Sequence, residues 1–299
     1  MRIIRFAIPA LAGLLLLVAL VVKRSASTRD AFARAVAAAD FPKGRGDELV
    51  VTEWDLMLLP VPAQRYLQFM GVVGRCRDWS FRAHMTGSFR TSPAQAWSEM
   101  EAWQYDNRLE IGRLFYLNVR LFGFLPVVGR DTYLRGEGRM LIRPLDLFAV
   151  DDVKGDEVEI SELVTYLNDA ILLAPSFLLG SETTWSAAGP DAFNVALTYA
   201  GHTVTAQVSL DERGAPRDFS TTDRFVRDPI DPKHELVRAR WTTPIDGWQM
   251  VDGRPIPTSG RAVWHLPHGD FTYVAMRFDR NEIAFNVPGA LVPYSQSCF

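Results

Sequence analysis

The stretch Asp156–Gly180, DEVEISELVTYLNDAILLAPSFLLG, constrains this chain most, because it is the one long segment of the post-leader chain with a clear helical pattern and it separates two blocks that read as β. Ile160, Leu163, Val164, Leu167, Ile171 and Ala174 recur at the helical period on one face, and Glu159, Glu162, Thr165 and Asp169 mark the other. Asp156 and Glu159 read as a capping pair in an acidic first turn. Pro175 biases Ala174 away from helical geometry, so the helix is expected to stop near Leu173. The following Phe177, Leu178 and Leu179 are too apolar for a solvated loop. The segment therefore either plugs a core or lines a cavity, and core filling is the commoner fate of such a stripe.

Before this helix, SFRAHMTGSFRT, AQAWSEMEAWQYD and RLEIGRLFYLNVRLF read as strands, with Asp106-Asn107 as a turn between the second and third. In the third, Leu109, Ile111, Phe115, Leu117, Val119 and Leu121 share one face that only Arg113 interrupts. A hairpin follows over 130–134 and 139–147, closed by Arg135-Gly136-Glu137-Gly138. After the helix the alternation resumes through TTWSAAG, AFNVALTY, HTVTAQVSL and PRDFSTTDRF, and continues to EIAFN. About a dozen strands cannot stay in one flat sheet. The expected fold is mainly β with a few helices: a highly curved antiparallel sheet, a half-barrel or open barrel, under a helical lid near 159–173. Such a cup is filled by side chains or holds a ligand.

Residues 1–24 read as an N-terminal transmembrane anchor. Phe6–Val22 is uncharged and mostly apolar, roughly 26 Å long as a helix. Lys23 and Arg24 stand where a signal peptide would place small residues for cleavage, which favours an uncleaved anchor. A short charged leader of this kind points the domain to the periplasmic face of a bacterial inner membrane. Residues 25–58 give a short Ala-rich helix and a linker, and 59–299 a single β-rich domain opened by a second helix at Leu59–Leu67. The net charge of −3 gives no reason to expect nucleic acid, and Cys76 and Cys298 read as unpaired thiols.

Leu59-Pro60-x-Pro62-x-x-Arg65-Tyr66, Pro126-Val127-Val128-Gly129-Arg130-Asp131, Leu163-Val164-Thr165-Tyr166-Leu167-Asn168-Asp169-Ala170 and Trp264-His265-Leu266-Pro267 together resemble an uncharacterised family of bacterial membrane-tethered proteins. That resemblance implies no catalytic residue. In outline only, strands followed by a helical lid and more strands are similar to the periplasmic lipoprotein carriers, whose half-barrels hold acyl chains.

No cofactor-binding, nucleophile-elbow or phosphate-cradling motif is present in the sequence. His265, His268 and Asp270 raise a metal site, but a strand ending at Pro267 would send the two imidazoles apart, so no metal is assigned. Arg130 beside Asp131, and Asp223 beside Arg224, must point to opposite faces, so one member of each is expected to pair inward across the sheet, the alternative being a polar patch that recognises a ligand headgroup. The aromatic content of the strands suits an apolar pocket with a few polar groups. The favoured reading is a membrane-tethered, non-catalytic binder of a lipid or acyl chain. Its candidate ligand residues are Arg130, Asp131, Tyr133, Tyr166, Leu167, Asn168, Ile171, Phe177, Trp264 and His265. It requires a hollow concave face, and fails if Leu163, Leu167, Ile171 and Phe177 close on aromatic side chains without a void. The alternatives are an enzyme with a polar cleft around Arg130, Asp131, Tyr166 and His265, and a scaffold for a partner membrane protein.

Overall fold

The structure, a computed structural model, describes residues 13, 28–45, 49–231 and 235–289. Apart from Gly13, the expected anchor at 1–24 lies outside them, as does Cys298. No helix among the described residues is long and apolar enough to cross a membrane.

Residues 28–39 form α1, followed by the single turn α2 (Glu53–Leu56) and α3 (Val61–Phe69). Pro60 and Pro62 sit at the start of α3, where a missing N–H costs nothing. A meander follows: β1 (Ser80–Phe89), β2 (Ser98–Asn107), β3 (Gly112–Leu121), β4 (Leu125–Leu134), β5 (Glu137–Pro144) and β6 (Asp151–Lys154). Then come α4 (Asp156–Leu173) and a 3-10 turn (Pro175–Leu178). The second meander is β7 (Thr183–Ala187), β8 (Ala192–Tyr199), β9 (His202–Leu210), β10 (Pro216–Arg227), β11 (Leu236–Thr242), β12 (Ile245–Val251), β13 (Arg254–Leu266) and β14 (Gly269–Phe285).

The chain builds the sheet outward and then back. The order is β6-β5-β4-β3-β2-β1-β14-β13-β11-β10-β9-β8-β7, with β12 paired to β13. This antiparallel sheet curls through 282° into a half-barrel. Its edge strands β6 and β7 are consecutive in sequence, and α4 joins them across the concave side.

Local chemistry explains most turns. Arg135-Gly136 and Ala200-Gly201 have positive φ at both residues, the geometry of tight two-residue hairpins, so Glu137 and Gly138 belong to β5 rather than to the turn. β2 runs through Asp106 and Asn107 instead of turning there. The turn comes after them, where the Asn107 side chain accepts the backbone N–H groups of Leu109 and Glu110. The last two expected strands are one, β14, whose register against β1 shifts between Ala83 and Met85.

α4 ends at Leu173 as Pro175 requires, but its N-terminus departs from expectation. Gly155 is the N-cap at φ 110°, and Asp156 makes no capping bond. A side chain on Gly138 would meet the Glu159 Cα at 2.7 Å, so β5 and the start of α4 pack backbone against backbone. On the convex side, α1 lays Phe32 and Val36 over Tyr105, Leu114 and Tyr116. Phe32 meets Tyr116 edge to face, whereas Phe41, just beyond α1, lies over Gly112. The start of α1 is therefore farther along β3 than its end.

Candidate functional site

The concave face divides in two, and α4 draws the boundary. Along the first part of β1 and β3 and the last part of β2 and β4, α4 fills the cup. Leu163, Leu167 and Ile171 are 0% exposed, and Phe177 stacks on Tyr166 and packs against Phe81. The Tyr166 hydroxyl donates to the Asn107 carbonyl at 3.2 Å, and the Tyr66 hydroxyl of α3 donates to the Ile171 carbonyl at 2.8 Å. Leu167, Ile171, Tyr166 and Phe177 are thus packing residues of a plug.

The face of α4 expected to meet water is buried as well. Glu162 and Asp169 lie seven residues apart, two turns along one stripe, and both reach Arg113 on β3. Arg113 donates from Nε to Asp169 at 2.7 Å and from Nη1 to Glu162 at 2.9 Å. Gln104 donates to Asp169 at 2.6 Å and to Asp106 at 3.1 Å. Asn168 accepts from the Thr243 hydroxyl at 2.7 Å.

Burial dominates the protonation of these acids. It pushes the Glu162 carboxyl up to about 8, with the Asp131 charge adding to the rise and Arg113 opposing it. Burial, then the negative charge of Asp169, holds Asp106 far above the usual carboxylate range. Asp169 and Asp131 are also raised by burial, against the pull of Arg113. One buried guanidinium is thus set among acids whose charged forms burial disfavours.

Beyond α4 the same face stays uncovered. On β1, Phe81, Ala83 and Met85 are buried while Phe89 is half-exposed. On β3, Arg113, Phe115 and Val119 are buried while Leu117 and Leu121 are half-exposed, and the facing Met100 and Ala102 of β2 are buried. On β4, Tyr133 is buried while Asp131, Gly129 and Val127 are half-exposed. Cross-strand register puts these on one surface: Ala102 opposes Leu117 and Leu117 opposes Gly129, and Phe115 opposes Asp131. Half-buried Val226, Ala239 and Met276 pack against the same core from the other meander. The result is an apolar trough.

Arg224 and Asp131 stand at its floor. Arg224 is 9% exposed, its guanidinium 4.1 Å from the Trp241 ring centre and 5.3 Å from that of Trp264. It donates from Nη1 to the Tyr273 hydroxyl oxygen at 2.9 Å, which also accepts from the Trp241 indole at 3.2 Å. Among the described residues, Arg224 Nε and Glu162 Oε1 have no hydrogen-bond partner. Both groups act electrostatically on Asp131 or on each other, so the three share one neighbourhood.

A second concavity, about 490 Å³, opens at the far side of α4 between the β2–β3 turn and β7–β8, lined by Leu109, Ile111, Tyr166, Phe177, Leu197 and Tyr199. Its basic groups are committed to structure: Arg77 donates to the Ser176 and Phe177 carbonyls, and Arg108 to that of Asp78.

The sequence candidates fall on both faces. Asp131, Tyr133, Tyr166, Leu167, Asn168, Ile171, Phe177 and Trp264 point into the cup. Arg130 and His265 point out of it: Arg130 pairs with Asp146 at 2.7 Å over the Tyr116 ring, and His265 bridges Asp270 and Thr242. The polar cleft of the enzyme reading, which needs Arg130, Asp131, Tyr166 and His265 together, is not formed. His268 reaches a different carboxylate, Asp228, at 3.4 Å. Asp156, Glu159 and His202 do bring three donor atoms within 4.8 Å of one another. They sit at the positive end of α4, where His202 already contacts Glu159 at 3.2 Å.

Sequence reasoning did not pick out Arg113, Glu162 or Asp169 as a site, and raised Arg224 only beside Asp223 as the alternative of a polar patch. The available signal was Arg113 itself, the single charge on an otherwise apolar strand face.

No curated protein matches the chain. Among solved structures it is similar to a LolA superfamily protein from Nitrosomonas europaea, with 10% identity, 74% of this chain and 90% of that one covered, and a TM-score of 0.40. It is also similar to an outer membrane lipoprotein-sorting protein domain from Vibrio parahaemolyticus, with 11% identity, 75% and 91% covered, and a TM-score of 0.35. Residues 49–276 match the model of a family of unknown function, DUF6544, and all four motifs singled out in the sequence lie within that span. The chain belongs to this family.

Proposed function

We propose that the protein is a membrane-tethered, non-catalytic binder of an amphiphile, held in the uncovered trough of the concave face. The supporting observation is the change along β1 and β4 from buried to half-exposed side chains, joined across β3 by half-exposed Leu117 and Leu121 on either side of buried Val119. A lipid or acyl chain lying on Leu117, Leu121, Phe89 and Val127 removes that surface from water. Each buried methylene contributes about 0.8 kcal/mol, so ten would give roughly 8 kcal/mol before the costs of ordering. The polar head reaches the floor, where Arg224 Nε offers an unpartnered donor and Glu162 Oε1 an unpartnered carboxyl oxygen, next to Asp131. Trp264 shapes the floor by holding Arg224, and Leu167 and Ile171 of the plug pack in one core with Tyr133. The tether is the apolar run Phe6–Val22.

The test is native mass spectrometry of the full chain, extracted from its host into lipid nanodiscs, followed by organic extraction. A bound amphiphile at one per chain is expected. Leu117→Glu and Leu121→Glu should lose it while the circular dichroism spectrum stays unchanged. A chain that carries nothing, before and after incubation with a membrane lipid extract, overturns the reading.

A further inference from the structure

The β1–β2, β3–β4, β5–β6, β10–β11 and β13–β14 connections all lie at one end of the half-barrel, the end at which the trough opens. Register places them there: Phe89 opposes Val274 and Ser98, Leu121 opposes Leu125, and Val127 opposes Pro144. One ion pair joins the two meanders at this rim: Arg227 at the end of β10 binds Asp151 at the start of β6. Within the second meander, His268 meets Asp228 at 3.4 Å.

The rim carries large apolar side chains in water. Phe122 is 80% exposed, Phe124 64%, and Leu147, Phe148, Val150 and Ile230 are each half exposed or more. Folding does not account for them. Phe122 holds φ at 55°, a left-handed conformation costly for a bulky residue, and it contributes little core packing in return. The tips stand on separate hairpins around an opening, unlike one flat patch.

We infer that this rim docks on the surface of a lipid bilayer, with the hairpin tips in the interface and the trough opening toward the lipid. Two further features favour a bilayer as the occupant. The start of α1 lies farther toward the rim than its end, and the apolar run Phe6–Val22 precedes that start. Several rim cations are already engaged: Arg227 with Asp151, Arg143 with Asp146, Arg120 with Glu99, and Arg90 with the Thr272 and Pro93 carbonyls and the Trp97 ring. Apolar burial rather than attraction to anionic lipid then drives docking, and binding is insensitive to headgroup charge. The inference stands on the exposed tips and does not require the trough to be occupied.

A second apolar surface, at α2 and its flanks, provides the internal control. Leu49, Trp54, Met57 and Leu58 are exposed there, at the end closed by α3. The experiment places an environment-sensitive fluorophore on single cysteines at 122, 148 or 58, in the full chain carrying Cys76→Ser and Cys298→Ser. Each protein is reconstituted into phosphatidylcholine vesicles with spin-labelled lipid as quencher. Expected are a blue shift and quenching at 122 and 148, none at 58, and the same result when phosphatidylglycerol is added. Quenching at 58 alone, quenching at no position, or a requirement for phosphatidylglycerol overturns the inference. So does a shift at 122 that appears without lipid and grows with protein concentration, which would assign the rim to a second copy. Loss of bound amphiphile with rim quenching intact would sink the binding proposal and leave this one standing.

Discussion

The two parts of the concave face are made of the same strands, yet they solve burial differently. On the α4 side Leu163, Leu167, Ile171 and Phe177 are packed within the protein, and Arg113 binds both Glu162 and Asp169. On the rim side the strands present Leu117, Leu121 and Phe89 half-exposed, over a floor where Arg224 and Glu162 keep unpartnered atoms. One part is finished by the chain's own helix, whereas the other is shaped to be finished from outside. Stability should therefore be concentrated on the α4 side, and function on the rim side.

The sharpest way to break this contrast is Arg113→Met. It leaves two buried carboxyls without their cation and is expected to cost about 3–5 kcal/mol in urea denaturation. A cost under about 1 kcal/mol would mean that the cluster is protonated and self-sufficient, and the finished side would lose its keystone. Next, Leu167→Ala should cost about 2–5 kcal/mol, whereas Leu121→Ala should cost under about 1 kcal/mol and weaken amphiphile binding instead. Equal costs at the two positions would erase the distinction.

Smaller in size is a pH effect from Glu162. The folded state keeps this proton up to about 8, whereas the unfolded chain releases it near about 4.3. Between those values the folded state binds the extra proton, so stability falls as pH rises through the window and levels off above it. The slope is bounded by about 1.4 kcal/mol per pH unit for one group. Glu162→Gln should flatten it, leaving the shares of Asp106, Asp131 and Asp169, as urea midpoints at pH 6, 7 and 8 would reveal. An unchanged slope would place the proton elsewhere in the cluster. Smallest of all, Arg130→Ala and His265→Ala on the convex face should each shift stability by under about 1 kcal/mol and leave amphiphile binding intact. Loss of binding in either variant would bring the outer face into the site.

The division was partly legible in the chain. Alternation gave the strands, and Pro175 gave the end of α4, because both follow from local backbone chemistry. The curvature and the lid followed from strand number and element order. The capping pair at Asp156 was misleading, since the helix begins one residue earlier, with Gly155 as an N-cap that has no side chain to make a capping bond. Glu162 and Asp169 look like a solvated helix face because periodicity reports polarity and not what stands opposite. Only tertiary structure brings Arg113 from a strand 49 residues earlier in the chain than Glu162. The trough is invisible for a related reason: Leu117 and Leu163 are equally apolar in sequence, and covering one but not the other is decided by where α4 crosses the sheet.

The out-and-back path of the sheet also bears on how the protein assembles. Within each meander most paired strands are neighbours in sequence and can form as local hairpins. The pairing of β1 with β14, by contrast, joins Phe81 to Phe285. Closing a loop that long carries a large entropic cost that hairpins escape, and rates fall as contacts become less local. The two meanders can thus fold as separate halves, with their inner strands exposed as unpaired edges until they are welded together. During that interval β1 and β14 are the places at which two chains could exchange halves, and a tether that keeps neighbouring copies apart would guard against it.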